Sequence, residues 1–361
     1  VGEDRVAARF AVEGHGGQIP VEKAELYIGN SGTTSRSIIS CVALGNGFYT
    51  IDGDEPMRQS RPIADLLDAL QRLGIDARSR HDNGCLPVDV QAQGFAGGST
   101  ELDASKSSQF LTSLMLTGPC TEEGLVIEMA GDFKTQYIDI TMAVMRAFGA
   151  EVTHDNYRRF CIPGGQCYKG CDYAVEPDAS NASYFFAAAA LTGGRVRVNG
   201  INTDSVQGDI RFVDVLEKMG CTVNRATDGI EVVGPKKLTG IDIDMKEISD
   251  TSLTLAAMAP FAAGPVRIRN IEHSRWQETD RVAAMATELR RLGVTVEEQQ
   301  DGISVEPSVP RPTVVNTYED HRVAMSFALV GLKVPGISIN DPSCVNKTFP
   351  TYFEVWDQLR S

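Results

Sequence analysis

The stretch Ser183–Gly220, SYFFAAAALTGGRVRVNGINTDSVQGDIRFVDVLEKMG, decides the fold. Its opening run, Ser183–Leu191, is small, aromatic and apolar on every side, which predicts a buried helix. Glycines punctuate it, and Arg195-Val196-Arg197-Val198 then alternates as a strand. A polar segment, Gln207-Gly208-Asp209, leads into Phe212-Val213-Asp214-Val215-Leu216, apolar at helical spacing and closed by Gly220. Glycine at that place is the expected left-handed helix cap. The same ending recurs where Ile63–Leu70 runs to Gly74, Ile140–Met145 to Gly149 and Val282–Met285 to Gly293. These four glycines stand 75, 71 and 73 residues apart, the period of a large repeated unit. Each unit reads βαβαββ, with a buried first helix and an amphipathic second one, so the fold class is α/β.

The ends of the chain break the period. Arg9–Val12 reads as the closing strands of a unit, and the chain stops after Tyr352–Trp356, a second-type helix without closing strands. On this period a six-unit chain would run to about 430 residues. The expectation is therefore a first unit lacking its front half, a last unit lacking its final strands, and a missing N-terminal fragment as a possible partner.

With 361 residues, 42% hydrophobic and 23% charged, the chain has the composition of a soluble protein of about two domains. Its net charge of -14 and lack of basic runs argue against nucleic-acid and membrane-surface roles. A few cations in one place still suffice for a small anion. Eight cysteines include one cluster, Cys161, Cys167 and Cys171, without a Cys-x-x-Cys pair or nearby histidine. That spacing speaks for reduced thiols in a cytoplasmic protein and against a metal site.

Chemistry concentrates at polar stations just before the helices, where unpaired backbone N–H groups and the positive dipole end favour anions. First stations are Asn30-Ser31-Gly32-Thr33, Ser107-Ser108-Gln109, Asp178-Ala179-Ser180-Asn181, Ser249-Asp250-Thr251-Ser252 and Asp320-His321-Arg322. Each alone reads as an N-cap. Together with Arg36 they offer more donors than caps need. Second stations add Arg58 and Arg61, Gln207-Gly208-Asp209, Gln277-Glu278-Thr279-Asp280-Arg281, and Lys347-Thr348-Phe349-Pro350. Arg61, Arg281, Arg322 and Lys347 are thus expected at helix starts in different units, suited to phosphate or carboxylate.

In order along the chain, Asn30–Arg36, Ser107–Gln109, Gln207–Asp209, Glu278–Arg281, Asp320–Arg322 and Lys347–Pro350 resemble the signature segments of the 5-enolpyruvylshikimate-3-phosphate synthase family. The resemblance implies the two-domain enolpyruvyl transferase fold, with helix N-termini facing an interdomain cleft and domains 1–174 and 175–361. It implies a cytoplasmic enzyme of aromatic biosynthesis, a glyphosate target, that moves an enolpyruvyl group from phosphoenolpyruvate to the 5-hydroxyl of shikimate 3-phosphate and needs no metal or other cofactor. By resemblance Ser107, Ser108, Gln109, Tyr137, Asp250, His273 and Gln277 bind phosphoshikimate. Gly32, Arg61, Gln109, Arg281, Arg322 and Lys347 bind phosphoenolpyruvate, and Asp250 and Glu278 are the acid–base pair. Asn30, Arg36 and His321 support them.

Departures from the family pattern are Gln277 in place of a lysine, His273 in place of an asparagine, and a short segment before Tyr137 in which Lys134 or Thr135 replaces a serine. The family's N-terminal Lys-Ser pair and nearby Arg have no counterpart here. Two alternatives compete: an enolpyruvyl transferase acting on UDP-N-acetylglucosamine, and a truncated, non-catalytic or split-enzyme fragment, for which this chain alone is expected to turn over little or no substrate.

Overall fold

A computed structural model describes residues 2–4 and 9–359. Contacts divide the chain into two compact units, Val1–Ala174 and Val175–Ser361.

The first unit opens with the antiparallel pair β1 (Gly2–Asp4) and β2 (Arg9–Ala11). Two copies of one motif follow. The first is β3 (Lys23–Tyr27), α1 (Gly32–Val42), β4 (Asn46–Asp52), the short α2 (Glu55–Gln59), α3 (Ala64–Arg72), β5 (Asp76–Ser79) and β6 (Val88–Gln93). The second is β7 (Gly97–Asp103), α4 (Gln109–Thr117), β8 (Gly124–Ala130), α5 (Gln136–Ala147), β9 (Thr153–Asp155) and β10 (Arg159–Pro163). Both sheets carry their strands in the order first, second, fourth, third, with only the first pair parallel. A parallel first pair needs a crossover, and the helix between its strands supplies it.

The second unit begins with α6 (Ala179–Thr192), β11 (Arg195–Asn199), α7 (Phe212–Lys218), β12 (Thr222–Ala226) and β13 (Gly229–Val233). Next come β14 (Ile241–Asp244), α8 (Ser252–Met258), β15 (Val266–Arg269), α9 (Arg281–Arg291), β16 (Val296–Gln299) and β17 (Gly302–Val305). Last are β18 (Val314–Val315), α10 (His321–Gly331), β19 (Ser338–Ile339) and α11 (Tyr352–Gln358). The middle copy repeats the four-strand order, whereas the sheet of the first holds three strands, β11-β13-β12. The leading strand expected in every repeat is thus absent from this copy among the described residues. Residues 171–178 are exposed and run without a ladder into Pro177, which has no N–H to offer one.

The first helices of the copies form the cores. Twelve of the fourteen residues of α6 are buried, and α8 and α10 pack against it and against each other. Side chains small enough for close approach still carry hydroxyls, and these pair between helices: Ser40 Oγ with Ser113 Oγ at 2.6 Å and Ser183 Oγ with Thr254 Oγ1 at 3.0 Å. Pairing removes the desolvation penalty that an isolated buried hydroxyl would carry. The second helices are one-sided, as expected: α3 buries Leu66, Leu67, Ala69 and Leu70. Gly74, Gly149, Gly220 and Gly293, beyond the ends of these helices, have φ of 83°, 79°, 103° and 83°, the region that only glycine enters without strain.

Candidate active site

In the first unit, Ser31 caps α1 by accepting from the Thr34 N–H at 3.3 Å, which leaves Gly32 at the first helical position. Arg36, one turn on, is buried against the Phe110 ring and donates from Nη1 to Gln109 Oε1 at 2.8 Å. Gln109 in turn donates to Thr33 Oγ1 at 2.9 Å, so the starts of α1 and α4 are tied together. Arg61 donates to Asn30 Oδ1 at 3.1 Å. A methyl group at Gly32 would stand 2.6 Å from Arg61 Nη2 and would also strike Arg36 Nη1, so the glycine is what lets two guanidinium groups share this corner. Ser107 Oγ accepts from the Gln109 N–H at 3.3 Å, and Ser108 is the buried N-cap residue of α4. Tyr137 lies in the first turn of α5, with Lys134 Nζ 5.6 Å from its ring centre and Thr135 at the cap position.

The second unit gathers residues that are far apart in sequence. Arg281, at the start of α9, is 2% exposed and serves as the hub. It donates to Asp320 Oδ2 at 2.8 Å, Glu278 Oε2 at 2.8 Å and Asp250 Oδ1 at 3.3 Å, and to Gln277 Oε1. Burial works against its charge, but Asp320, Glu278 and Asp250 outweigh that and raise its pKa. Arg322 Nη2 donates to Asp250 Oδ2 at 3.1 Å, and Lys347 Nζ to Glu278 Oε1 at 2.7 Å. Gln277 Nε2 donates to Asp250 Oδ1 at 3.2 Å, so the residue that replaces the family's lysine bridges carboxylate and guanidinium. His273 Nε2 meets Ser249 Oγ at 2.8 Å.

The station Ser249–Ser252 stands at a helix start, with Thr251 the N-cap residue of α8 and Asp250 just before it in the 3-10 turn Lys246–Thr251. The Asp250 carboxylate is pulled to Arg281 and Arg322, because charge-assisted bonds outcompete a neutral N–H. Arg61 lies three residues before α3, where the backbone follows Pro62 into a loop, and Lys347 ends the 3-10 turn Pro342–Lys347, five residues short of α11. Of the four cations expected at helix starts, Arg281 and Arg322 sit in the first turn of a helix, and Arg61 and Lys347 do not.

Two residues have partners that the sequence does not announce. Asp320, in the expected station, does cap α10, accepting from the Arg322 N–H at 2.8 Å. It is also fully buried and neutralises Arg281. Tyr184, inside the apolar run of α6, lies near Arg322, and burial pushes its hydroxyl up to about 12 although Arg322 opposes the shift. His321 is buried beside Asp320, Nδ1 to Oδ1 3.6 Å. Burial, reinforced by Arg322, lowers its pKa to about 4, so it is neutral at pH 7.

Comparison with known proteins follows the same line. A family model for EPSP synthase (3-phosphoshikimate 1-carboxyvinyltransferase) matches residues 2–356. The 3-phosphoshikimate 1-carboxyvinyltransferase of Nostoc punctiforme is 50% identical over 353 residues, 98% of this chain and 83% of the relative. That of Marinomonas sp. is 44% identical over 351 residues, 96% of this chain and 82% of the relative. The solved EPSP synthase of Acinetobacter baumannii superposes with a TM-score of 0.77 at 24% identity, covering 93% of this chain and 78% of that one. The enolpyruvyl transferase NikO of Streptomyces tendae does so with 0.68 at 20% identity, covering 89% and 74%. These two likenesses speak to the fold alone. A separate N-terminal fragment as partner gains no support from alignments that run over nearly the whole chain. No helix among the described residues is long and apolar enough to cross a membrane.

Proposed function

The chain belongs to the EPSP synthase (3-phosphoshikimate 1-carboxyvinyltransferase) family and is an enzyme of that activity, and from this premise we propose how its residues divide the work. The substrates are phosphoenolpyruvate and shikimate 3-phosphate. Arg281, Arg322 and Lys347 bind the charges of phosphoenolpyruvate in the second unit, as Gly32, Arg61 and Gln109 do in the first. Ser107, Ser108, Gln109, Tyr137, Asp250, His273 and Gln277 receive phosphoshikimate, and Asn30, Arg36 and His321 support these groups. The cytoplasmic setting belongs to the same proposal.

The observation that carries this reading is the shared partnership around Arg281: the two proposed proton carriers, Asp250 and Glu278, are held by the same guanidinium and by one further cation each. An arriving phosphate or carboxylate competes for Arg322 and Lys347. As it takes them, Asp250 Oδ2 and Glu278 Oε1 each lose a cation, while Arg281 keeps the other oxygen of each, and the two freed oxygens become available to accept and return protons. Binding of the donor and activation of the acid–base pair are then one event. In the reaction, the methylene carbon of phosphoenolpyruvate gains a proton from one carboxyl group, and the 5-hydroxyl adds to the neighbouring carbon as it gives up its own proton to the other. The tetrahedral adduct then loses a methyl proton and phosphate. One carboxyl group supplies each proton movement, and the cations stabilise the departing phosphate.

Glu278→Gln tests the assignment. The amide keeps the shape but neither holds Lys347 as an ion pair nor carries a proton, and kcat, measured by phosphate release with both substrates, is expected to fall by about 10²-fold or more. Binding of phosphoenolpyruvate to the same variant should survive. A kcat within a few-fold of the parent removes Glu278 from the acid–base pair.

A further inference from the structure

Glu288 carries a buried carboxylate that the reaction does not use. It lies on α9 seven residues after Arg281, two turns along the same buried face and roughly 10 Å away at 1.5 Å per residue. A carboxylate without exposed surface is costly unless its oxygens are bonded. Apart from Arg291, one turn on along α9, the partners of Glu288 belong to the short segment between β18 and α10. Oε2 accepts from the Asn316 N–H at 3.1 Å and from Arg291 Nη1. Oε1 accepts from the Tyr318 hydroxyl at 2.8 Å and from Asn316 Nδ2 at 3.4 Å. Arg291 extends the grip to β18, donating from Nη2 to Val314 O at 3.0 Å.

Asn340 holds the same segment by other atoms. Its Oδ1 accepts from the Thr317 N–H at 3.1 Å, and its Nδ2 donates to Asn316 Oδ1 at 3.3 Å. Between these fixed points Tyr318 and Glu319 take φ of 55° and 57°. Residues with a side chain enter that left-handed region rarely and stay there only where the surroundings enforce it. Next comes Asp320, whose N–H donates to Thr317 O at 2.9 Å and whose carboxylate holds both Arg281 and the Arg322 N–H. One face of α9 thus grips this segment twice, by Glu288 before the left-handed pair and by Arg281 after it. Burial and the bond to Glu288 raise the Tyr318 pKa to about 12, so its hydroxyl is a donor at neutral pH.

We propose that Glu288 is a positioning residue for Arg322, and the proposal rests on the assignment of Arg322 to phosphoenolpyruvate. Glu288 sets the turn 316–319, and the turn sets Asp320. Asp320 fixes the first turn of α10, from which Arg322 reaches Asp250. Without the carboxylate the left-handed pair relaxes, and the start of α10 shifts against Arg281 and Lys347. A displacement of about 1 Å at a binding group is enough to cost up to about 10²-fold.

The test compares Glu288→Gln, Tyr318→Phe and Arg322→Ala in the full chain, each titrated calorimetrically with phosphoenolpyruvate and, separately, with shikimate 3-phosphate. Glutamine keeps the length of the side chain but removes the charge that holds Arg291 and replaces one acceptor by a donor. Affinity for phosphoenolpyruvate is expected to fall about tenfold in Glu288→Gln and about threefold in Tyr318→Phe, while affinity for shikimate 3-phosphate stays within about twofold. A lowered denaturant midpoint with both affinities unchanged makes Glu288 a structural residue only and overturns the proposal. Equal losses for the two ligands overturn it as well. If Arg322→Ala itself leaves phosphoenolpyruvate binding intact, the assignment of Arg322 fails and the proposal falls with it. A loss in Arg322→Ala alone defeats the proposal and spares the assignment. Tyr318→Phe deletes one oxygen and keeps the ring, so it decides the question even where Glu288→Gln fails to fold.

Discussion

Arg322 donates by its side chain to Asp250 and by its backbone to Asp320, and it stands beside the neutral His321. Removing its side chain leaves Asp250 with Arg281 and Gln277, so the network survives while one cation is lost. Arg322→Ala is therefore expected to weaken phosphoenolpyruvate binding by about 2 kcal/mol or more. Phosphoshikimate binding should change less, and calorimetric titration of each ligand separates the two; equal losses would contradict the assignment. His321 makes a prediction about pH. Its folded pKa, about 4, lies below the usual 6.5, with Arg322 and Arg281 facing it on one side of the charge balance and Asp320 and Glu278 on the other. A depressed histidine favours folding fully above pH 6.5. That contribution is lost as pH falls towards 4, because the unfolded chain takes the proton first. The loss is on the order of 3 kcal/mol. Unfolding of His321→Gln by denaturant should be less pH-dependent than that of the parent over this window. Parallel curves would show that His321 is not held neutral.

At the scale of elements, the same kind of residue performs two different tasks. Asp178 caps α6 by accepting from the Asn181 N–H at 2.9 Å and lies at the surface. Asp320 caps α10 by accepting from the Arg322 N–H, two residues on rather than three, but is fully buried against Arg281. Asparagine caps about as well as aspartate, so Asp178→Asn should change stability by a few tenths of a kcal/mol. Asp320→Asn keeps the cap yet leaves Arg281 without its closest buried counter-charge, and a loss of about 3–5 kcal/mol is expected. Denaturant midpoints of the two variants make the comparison, and similar values would mean that the buried pair contributes little. The caps were legible from sequence because they depend on the residue and the three that follow it. The ion pair was not, because Asp320 and Arg281 are 39 residues apart and meet only once α9 and α10 are packed. The station around Asp250 divides the two tasks between neighbours: Thr251 takes the cap position of α8, and distant cations claim the Asp250 carboxylate.

Across the whole molecule, the buried apolar residues fall into two sets, one from Ile39 to Ile162 and one from Ala179 to Trp356. Each set fills its own unit. Between them, residues 169–178 are exposed and free of regular structure, with Val175 84% exposed. Short-lived proteolysis should therefore cut first here, after Tyr173 with chymotrypsin or after Glu176 with a glutamate-specific enzyme. Fragment masses locate the cut. An initial cleavage inside either core would show that the crossing segment is better protected than its exposure implies.

What the sequence determined by itself was the local and the periodic. The βαβαββ order, the glycine ends of the second helices, the burial of Ser183–Leu191 and the order of the signature segments each rest on a few neighbouring residues or on a period. The residues proposed for the site were also named from the sequence, from motifs that resemble a family. Tertiary structure alone decided who pairs with whom. It joined Ser40 to Ser113 across 73 residues, turned Gln277 into a bridge between Asp250 and Arg281, and buried a guanidinium among three carboxylates. It also withheld a strand from the copy that begins at α6. The physical reason is range. Helix caps and amphipathic faces depend on residues within one or two turns, whereas desolvation and ion pairing depend on which segments share a dry volume, a property of the packed chain.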